Sequence, residues 1–270
     1  MKLRLVRNAY QRLSASVRKV GFNSAQRDEH GSTAPSANSA LLEAAAAVGK
    51  DWVQGPYYDE AEAVAEAQWS GVIRPLIRDY NFTRTLDLAA GHGRNTAKFL
   101  ELGASVVAVD INQSNIEFLE NRFKDSSSVE ILKNNGIDLQ DIVSESITFI
   151  FCFDAMVHFD SDVVRSYIRE FRRVLKRGCF GLCQYSNNTS NPTGSYREHP
   201  GWRNYMSRSL FEHWLAKEGF SIVSSMYLQA SQVIVDEDSD SVDAITIFHL
   251  PEEVSAAGRL RRRLRDAFQK

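Results

Sequence analysis

The sequence predicts an α/β fold: a seven-stranded, mainly parallel sheet with helices on both faces and an antiparallel hairpin at its C-terminal end. Three observations carry this. Short apolar runs alternate with helical-period segments from Arg84 to Ser186, the pattern of strands buried between covering helices. The first strand enters the turn Gly91-His92-Gly93 and leaves it as a helix. The last two strands are joined only by the polar acidic stretch Asp236 to Asp240, as in a closing hairpin.

The elements follow in order. Leu41 to Val48 is Ala-rich and reads as a short helix. Asp59 to Tyr80 is a clearer one, with Val64, Trp69, Val72, Ile73, Leu76 and Ile77 on its apolar side. Pro75 should kink or split it. A strand at Arg84 to Ala89 precedes a helix near Arg94 to Leu102, and a strand at Ser105 to Val109 precedes one near Gln113 to Lys124. Val129 to Lys133 is the third strand, followed by a short helix near Leu139. The fourth strand, Ser146 to Phe153, leads to a helix near Ser161 to Lys176, and the fifth is Cys179 to Ser186. A loop runs from Asn187 to about Met206, then a helix at Ser207 to Glu218 that Gly219 stops. Strands Phe220 to Leu228 and Ser241 to Leu250 finish the sheet.

Composition sets the bounds. The chain has 270 residues and a formal net charge of −2, so a nucleic-acid partner is not expected. No apolar run reaches the roughly 18 residues of a membrane-spanning helix. Cys152, Cys179 and Cys183 all sit in apolar strand patterns. Cys179 and Cys183 would lie about 13 Å apart along one strand, too far for a disulfide. Their simplest role is as small buried hydrophobes, and such thiols favour a reducing, cytoplasmic compartment.

The ends differ from the middle. Seven Lys and Arg residues, from Lys2 to Arg27, precede the first acid, Asp28, with Leu3, Val6, Tyr10, Leu13 and Val17 at helical spacing among them. This suits an amphipathic helix on an anionic membrane, an organelle transit peptide, or a poorly ordered extension. Ser32 to Ser39 reads as a linker. Arg259, Arg261, Arg262, Arg263, Arg265 and Lys270 form a second basic segment. Basic ends raise the expectation of peripheral membrane contact, against a solvated tail as the default.

The chemistry concentrates at Thr85 to Thr96. Gly91 and Gly93 let the backbone bend and press against a ligand. Asp110, at the end of the second strand, can accept from both hydroxyls of a ribose. A dinucleotide turn wants a third glycine, and Thr96 stands there instead. Asp87, inside the strand, suits a cationic ligand and repels a pyrophosphate. S-adenosylmethionine has a sulfonium, an ammonium and a ribose, with no phosphate.

The pattern D-x-x-x-G-x-G followed by an acid ending the next strand resembles the class I S-adenosylmethionine-dependent methyltransferases, over roughly Arg74 to Leu250. That resemblance implies a Rossmann-like sheet, S-adenosylmethionine as cofactor and S-adenosylhomocysteine as product. It implies a methyltransferase domain over residues 51–250, its first thirty residues a lid, between a basic extension (1–50) and a basic tail (251–270). It places Asp87, Ala89, Gly91 and Gly93 against the methionine part, and Asp110 and Ile111 at the ribose. Asn135 takes the position where the family often has an acid facing adenine, with Gly136 beside it. Phe153 and Asp154 open the segment after the fourth strand, which lines the methionine side and faces the acceptor.

For the acceptor side, His158 is the candidate base, because its unperturbed pKa lies near 6.5. It could also simply pack or orient a loop. Tyr57 and Tyr58 are candidates for an aromatic lid, and Tyr196, His199, Trp202 and Arg203 for a substrate wall. No metal-ligand spacing occurs. The favoured function is methyl transfer to an oxygen or nitrogen of a small molecule or saccharide. A noncatalytic S-adenosylmethionine-binding partner and a nicotinamide-dependent dehydrogenase are the alternatives. The oligomeric state stays open.

Overall fold

The computed structural model describes residues 37–52, 57–190, 192–229, 232–234 and 243–253. The expectations for the basic N-terminal segment, the acidic connection Asp236–Asp240 and the basic tail beyond Glu253 lie outside these residues.

Among the described residues eight strands form one sheet: β1 (Arg84–Leu88), β2 (Ser105–Asp110), β3 (Val129–Lys133), β4 (Ile147–Cys152), β5 (Leu175–Ser186), β6 (Ser221–Gln229), β7 (Gln232–Ile234) and β8 (Asp243–His249). Their order is β3-β2-β1-β4-β5-β8-β6-β7. The first five are parallel, and β8 enters antiparallel between β5 and β6. The seven expected strands are present, and the three-residue β7 extends the far edge. β1 lies at the centre of the five parallel strands, flanked by β2 and β4. Strand order therefore reverses there and leaves a crevice at the carboxyl ends of the strands.

The strands alternate their side chains between two cores. Leu86, Leu88, Val107, Ile150 and Cys152 pack on one face with Tyr167, Ile168 and Phe171 of the helix α6 (Ser161–Val174). Val106, Phe149, Phe151 and Leu182 pack on the other with Trp69, Ile73 and Phe99. The helix α6 buries Val163, Val164, Tyr167, Ile168, Phe171 and Val174, one stripe at the helical period. Asp160 caps it by accepting from Asp162 N–H. The helix α7 (Arg208–Lys217) is capped by Ser207 and stops at Gly219, φ 84°.

The other helices are α1 (Ala37–Asp51), α2 (Tyr57–Gln68), α3 (Arg74–Ile77), α4 (Arg94–Glu101) and α5 (Gln113–Arg122). Helix α1 begins inside the stretch read as a linker. The split expected at Pro75 takes the form of a π turn, Trp69–Ile73, in which Arg74 N–H reaches back to the Trp69 carbonyl. The wider turn makes room for a ring that cannot donate and would strike the preceding turn. The short helix expected near Leu139 is not formed. Asn135 Oδ1 accepts from Ile137 and Asp138 N–H, and Arg173 binds the Leu139 and Ile142 carbonyls. Side chains thus take the backbone groups that a helix would need.

Candidate active site

A pocket opens outside the carboxyl ends of β1, β2 and β4. Together with the open solvent at its mouth it takes in about 980 Å³. Ala45, Gly49, Trp52, Tyr57 and Tyr58 wall it from the N-terminal side.

The turn after β1 is left-handed at Ala89, Gly91 and Gly93, with φ of 57°, 57° and 80°. Ala89 and Gly91 line the pocket. A Cβ on Gly91 would stand 2.8 Å from Tyr58 Cε1. Gly93 faces away: a Cβ there would stand 2.6 Å from Phe123 and 2.7 Å from Leu119, so this glycine lets α4 start close against α5.

Asp110 is buried and lines the pocket. Its Oδ2 accepts from Gly91 N–H at 2.9 Å, and its Oδ1 from Asn112 N–H at 2.9 Å and Asn115 Nδ2 at 3.1 Å. Burial pushes its pKa up and these donors oppose the rise. Asn115 Nδ2 also donates to Tyr58 Oη at 2.8 Å, while Asn115 Oδ1 is buried without a partner among the described residues. Such an orphan acceptor inside a pocket suits a ligand hydroxyl. Ile111 lines the pocket as well, tucked against the space left by Gly136, φ 86°.

Asp87 and Asn135 lie elsewhere than the sequence suggests. Asp87 does not line the pocket; it sits behind the turn and accepts from Thr96 Oγ1 at 2.6 Å. Burial raises its pKa to about 6. The folded chain thus keeps a proton that the unfolded chain has lost between about pH 4 and 6. Stability therefore falls as pH rises through that window, and the full deficit persists above it. Asp87→Asn is expected to gain about 1–3 kcal/mol over the parent at pH 7 and little at pH 4, read as urea midpoints. Asn135 spends its amide on the following turn and on Asp138. Its neighbours Asn134 and Gly136 line the pocket instead; Asn134 Nδ2 donates to Tyr167 Oη at 2.8 Å.

Phe153 and Asp154 follow β4 into the pocket. Asp154 is left-handed, φ 61°. Its Oδ2 accepts from Arg94 Nη2 at 2.7 Å and Tyr57 Oη at 3.0 Å. Arg94, the first residue of α4, has a side chain only 11% exposed. Its place directly after the glycine turn is the signal that could have marked it in the sequence. Tyr58 stacks on His92 at 3.8 Å.

His158 is buried and lines the pocket. Its Nδ1 lies 2.7 Å from the Trp202 carbonyl. A carbonyl only accepts, so Nδ1 carries the proton and neutral imidazole presents a lone pair at Nε2. Burial lowers its pKa to about 4, helped by the Arg203 charge. Trp52 packs on the ring at 4.6 Å.

Tyr196, His199, Trp202 and Arg203 stand behind the pocket rather than on its wall, which corrects the expected substrate wall. Their polar groups are engaged by protein. Tyr196 Oη and the Arg197 guanidinium bind Asp51 at the end of α1. His199 Nδ1 donates to the Arg203 carbonyl at 2.7 Å. The Arg203 fork holds Asp243 at 2.8 and 2.7 Å. Asp243 also accepts from Gln184 Nε2 at 2.9 Å, and Gln184 Oε1 accepts from Asp154 N–H at 2.9 Å. A buried polar line thus runs from the loop to the pocket floor.

Among the described residues no cluster of three or more His, Cys, Asp or Glu could hold a metal, and no helix is long and apolar enough to cross a membrane.

Residues 85–178 match the family model described as a methyltransferase domain. No curated protein matches the chain significantly. Several solved structures share its fold. An S-adenosylmethionine-dependent methyltransferase from Clostridium acetobutylicum is 15% identical with a TM-score of 0.56, covering 73% of this chain and 100% of its own. The YcgJ protein from Bacillus subtilis is 17% identical with a TM-score of 0.52, covering 70% and 99%. The glycopeptide N-methyltransferase MtfA, solved with S-adenosylmethionine, is 12% identical with a TM-score of 0.51, covering 70% and 87%. Residues 85–178 are thus similar to a methyltransferase domain, and the chain shares the Rossmann-like fold of S-adenosylmethionine-dependent methyltransferases of known structure.

Proposed function

We propose that this protein moves a methyl group to an oxygen or nitrogen of a small molecule or saccharide, in the pocket at the ends of β1, β2 and β4. The observation that carries the reading is Asp110. A buried carboxylate, already oriented by two backbone amides and an asparagine, faces a pocket beside an orphan amide oxygen. Those acceptors fit the hydroxyls of a ribose. S-adenosylmethionine supplies a methyl group on a sulfonium, already electrophilic enough that the protein acts mainly by alignment and water exclusion.

The chain's own residues divide the remaining work. Arg94 and Asp154 present opposite charges side by side, which fits the carboxylate and ammonium of an amino-acid end. Ala89 and Gly91 let that end approach the backbone. Ile111, Asn134 and Gly136 edge the base. Asp87, behind the turn, keeps the first strand's field negative toward a cation. Phe153, Tyr57 and Trp52 exclude water, and His158 Nε2 receives the acceptor's proton. We also infer peripheral contact of the basic ends with anionic membrane, and a cytoplasmic setting, from the Lys and Arg clusters and the free thiols.

Calorimetry with S-adenosylmethionine, S-adenosylhomocysteine and NAD tests the site. Binding of the first two alone supports it; binding of NAD alone favours the dehydrogenase. Arg94→Gln is expected to weaken S-adenosylhomocysteine about 10–100-fold, one charged hydrogen bond's worth, and to leave 5′-methylthioadenosine, which lacks the amino-acid end, within twofold. Equal losses for both ligands would remove Arg94 from that role.

A further inference from the structure

We propose that Asn112, Asn115 and Tyr58 are positioning residues that tie the cofactor's ribose to the wall facing the methyl acceptor; this rests on the ribose role of Asp110 proposed above and deepens it. The two halves of the pocket share one set of hydrogen bonds. Asn112 N–H and Asn115 Nδ2 donate to Asp110 Oδ1 at 2.9 and 3.1 Å. Asn112 Nδ2 also donates to the Gly49 carbonyl at 3.0 Å. Asn115 Nδ2 also donates to Tyr58 Oη, which in turn donates to the Trp52 carbonyl, both at 2.8 Å.

Gly49 and Trp52 are the two ends of one turn, closed by Trp52 N–H on the Gly49 carbonyl at 3.1 Å. The residues that orient the ribose acid therefore grip both ends of the turn that carries Trp52. The grip is close: a Cβ on Gly49 would stand 2.9 Å from Ile111 Cγ2 and 3.3 Å from Asn112 Oδ1. The Asn112 side chain makes no capping bond to α5, so its tie to Gly49 is not a by-product of starting that helix. The Trp52 indole lines the pocket and packs on the His158 ring at 4.6 Å and on Tyr57 at 4.8 Å. Where the turn sits thus decides where the wall stands. Trp52 Nε1 is buried without a partner among the described residues, a donor that a methyl acceptor can take up.

The direction of the bonds is fixed. A carboxylate only accepts, so the Asn115 amide turns its NH₂ toward Asp110, and both its hydrogens are spent on Asp110 and Tyr58. The single Tyr58 hydroxyl proton goes to the Trp52 carbonyl. Asn115 Oδ1 is left for a ribose hydroxyl. A hydroxyl donating there polarises the amide and strengthens each bond down the line. Cofactor and methyl acceptor then bind with positive coupling, equal in both directions.

The test uses the full-length chain and the variant Asn112→Ala/Tyr58→Phe, which cuts both ties and leaves Asp110 its three donors. S-adenosylhomocysteine calorimetry comes first. No heat with the parent fails the cofactor reading itself. Affinity of the variant within about tenfold of the parent is expected, and a larger loss places these residues in cofactor binding and overturns the proposal. Trp52 is then followed through its indole ¹⁵N–H resonance, assigned by its absence in Trp52→Phe. In the parent, saturating adenosine should move this resonance, and 2′,3′-dideoxyadenosine, which lacks both hydroxyls, should leave it in place. In the variant neither nucleoside should move it, and its proton should exchange with water at least about tenfold faster. A shift by both nucleosides alike, no shift by adenosine in the parent, or a parent-like shift in the variant overturns the proposal. The nucleoside comparison in the parent decides by itself if the variant fails to fold.

Discussion

Asp110→Ala is expected to weaken S-adenosylhomocysteine binding at least about tenfold in calorimetry. The carboxylate is oriented before any ligand arrives, by Gly91 and Asn112 N–H and by Asn115. Oδ1 already accepts twice, whereas Oδ2 accepts only from Gly91 and keeps a lone pair for a ribose hydroxyl. One charge-assisted hydrogen bond of about 1.5–3 kcal/mol is lost, which is about 10–150-fold in affinity. Alanine also strips the acceptor from Gly91 N–H, so part of the loss would come from the turn relaxing. Asp110→Asn separates the two effects. It keeps one carbonyl oxygen for the turn, loses the charge, and should fall between parent and alanine variant. Retention of parent-like affinity by Asp110→Ala would remove the ribose role and, with it, the basis for orienting the pocket.

The central strands were legible because they are buried on both faces. Val106, Val107, Ala108 and Val109 read as an uninterrupted apolar run, and all four are buried. Gly91 and Asp110 were legible because only glycine and an acid suit those places. Asp87 shows the limit. Sequence spacing put it beside the ligand, but a strand alternates its side chains, and the acid points behind the turn to Thr96. Asn135 failed for a similar reason: adjacent residues Asn134 and Asn135 offer one amide to the pocket side and one to the turn, and only backbone conformation chooses between them. The substrate wall failed most fully. Arg203 looked available because its partner, Asp243, is 40 residues away. Long-range pairing carries no periodicity that a single sequence can display. Arg94 is marked in the sequence by its place after the glycine turn, but its pairing with Asp154, 60 residues downstream, is not.

Breaking one of those distant pairs should have the second large effect. Arg203→Met is expected to destabilise the fold by about 3–5 kcal/mol, the cost of leaving a buried charge without its partner. Asp243 is 1% exposed, so its carboxylate cannot turn to water for compensation. A urea midpoint shifted with unchanged slope would measure this. Stability alone does not explain why the pair is there, since buried ion pairs are often replaceable by neutral groups. Its geometry suggests alignment. Arg203 Nη1 holds the Gly201 carbonyl, the next residue's carbonyl fixes His158, and Asp243 reaches Asp154 through Gln184. The variant Arg203→Met/Asp243→Asn tests that separation. It removes both charges and keeps an oxygen for Gln184, so most of the lost stability should return. If Arg203 positions the site, the double variant should still show a displaced His158 Nδ1–H resonance and a lower transfer rate with little change in S-adenosylmethionine affinity. If both recover along with stability, the pair is structural, and the His158 ring is held by packing against Trp52 instead.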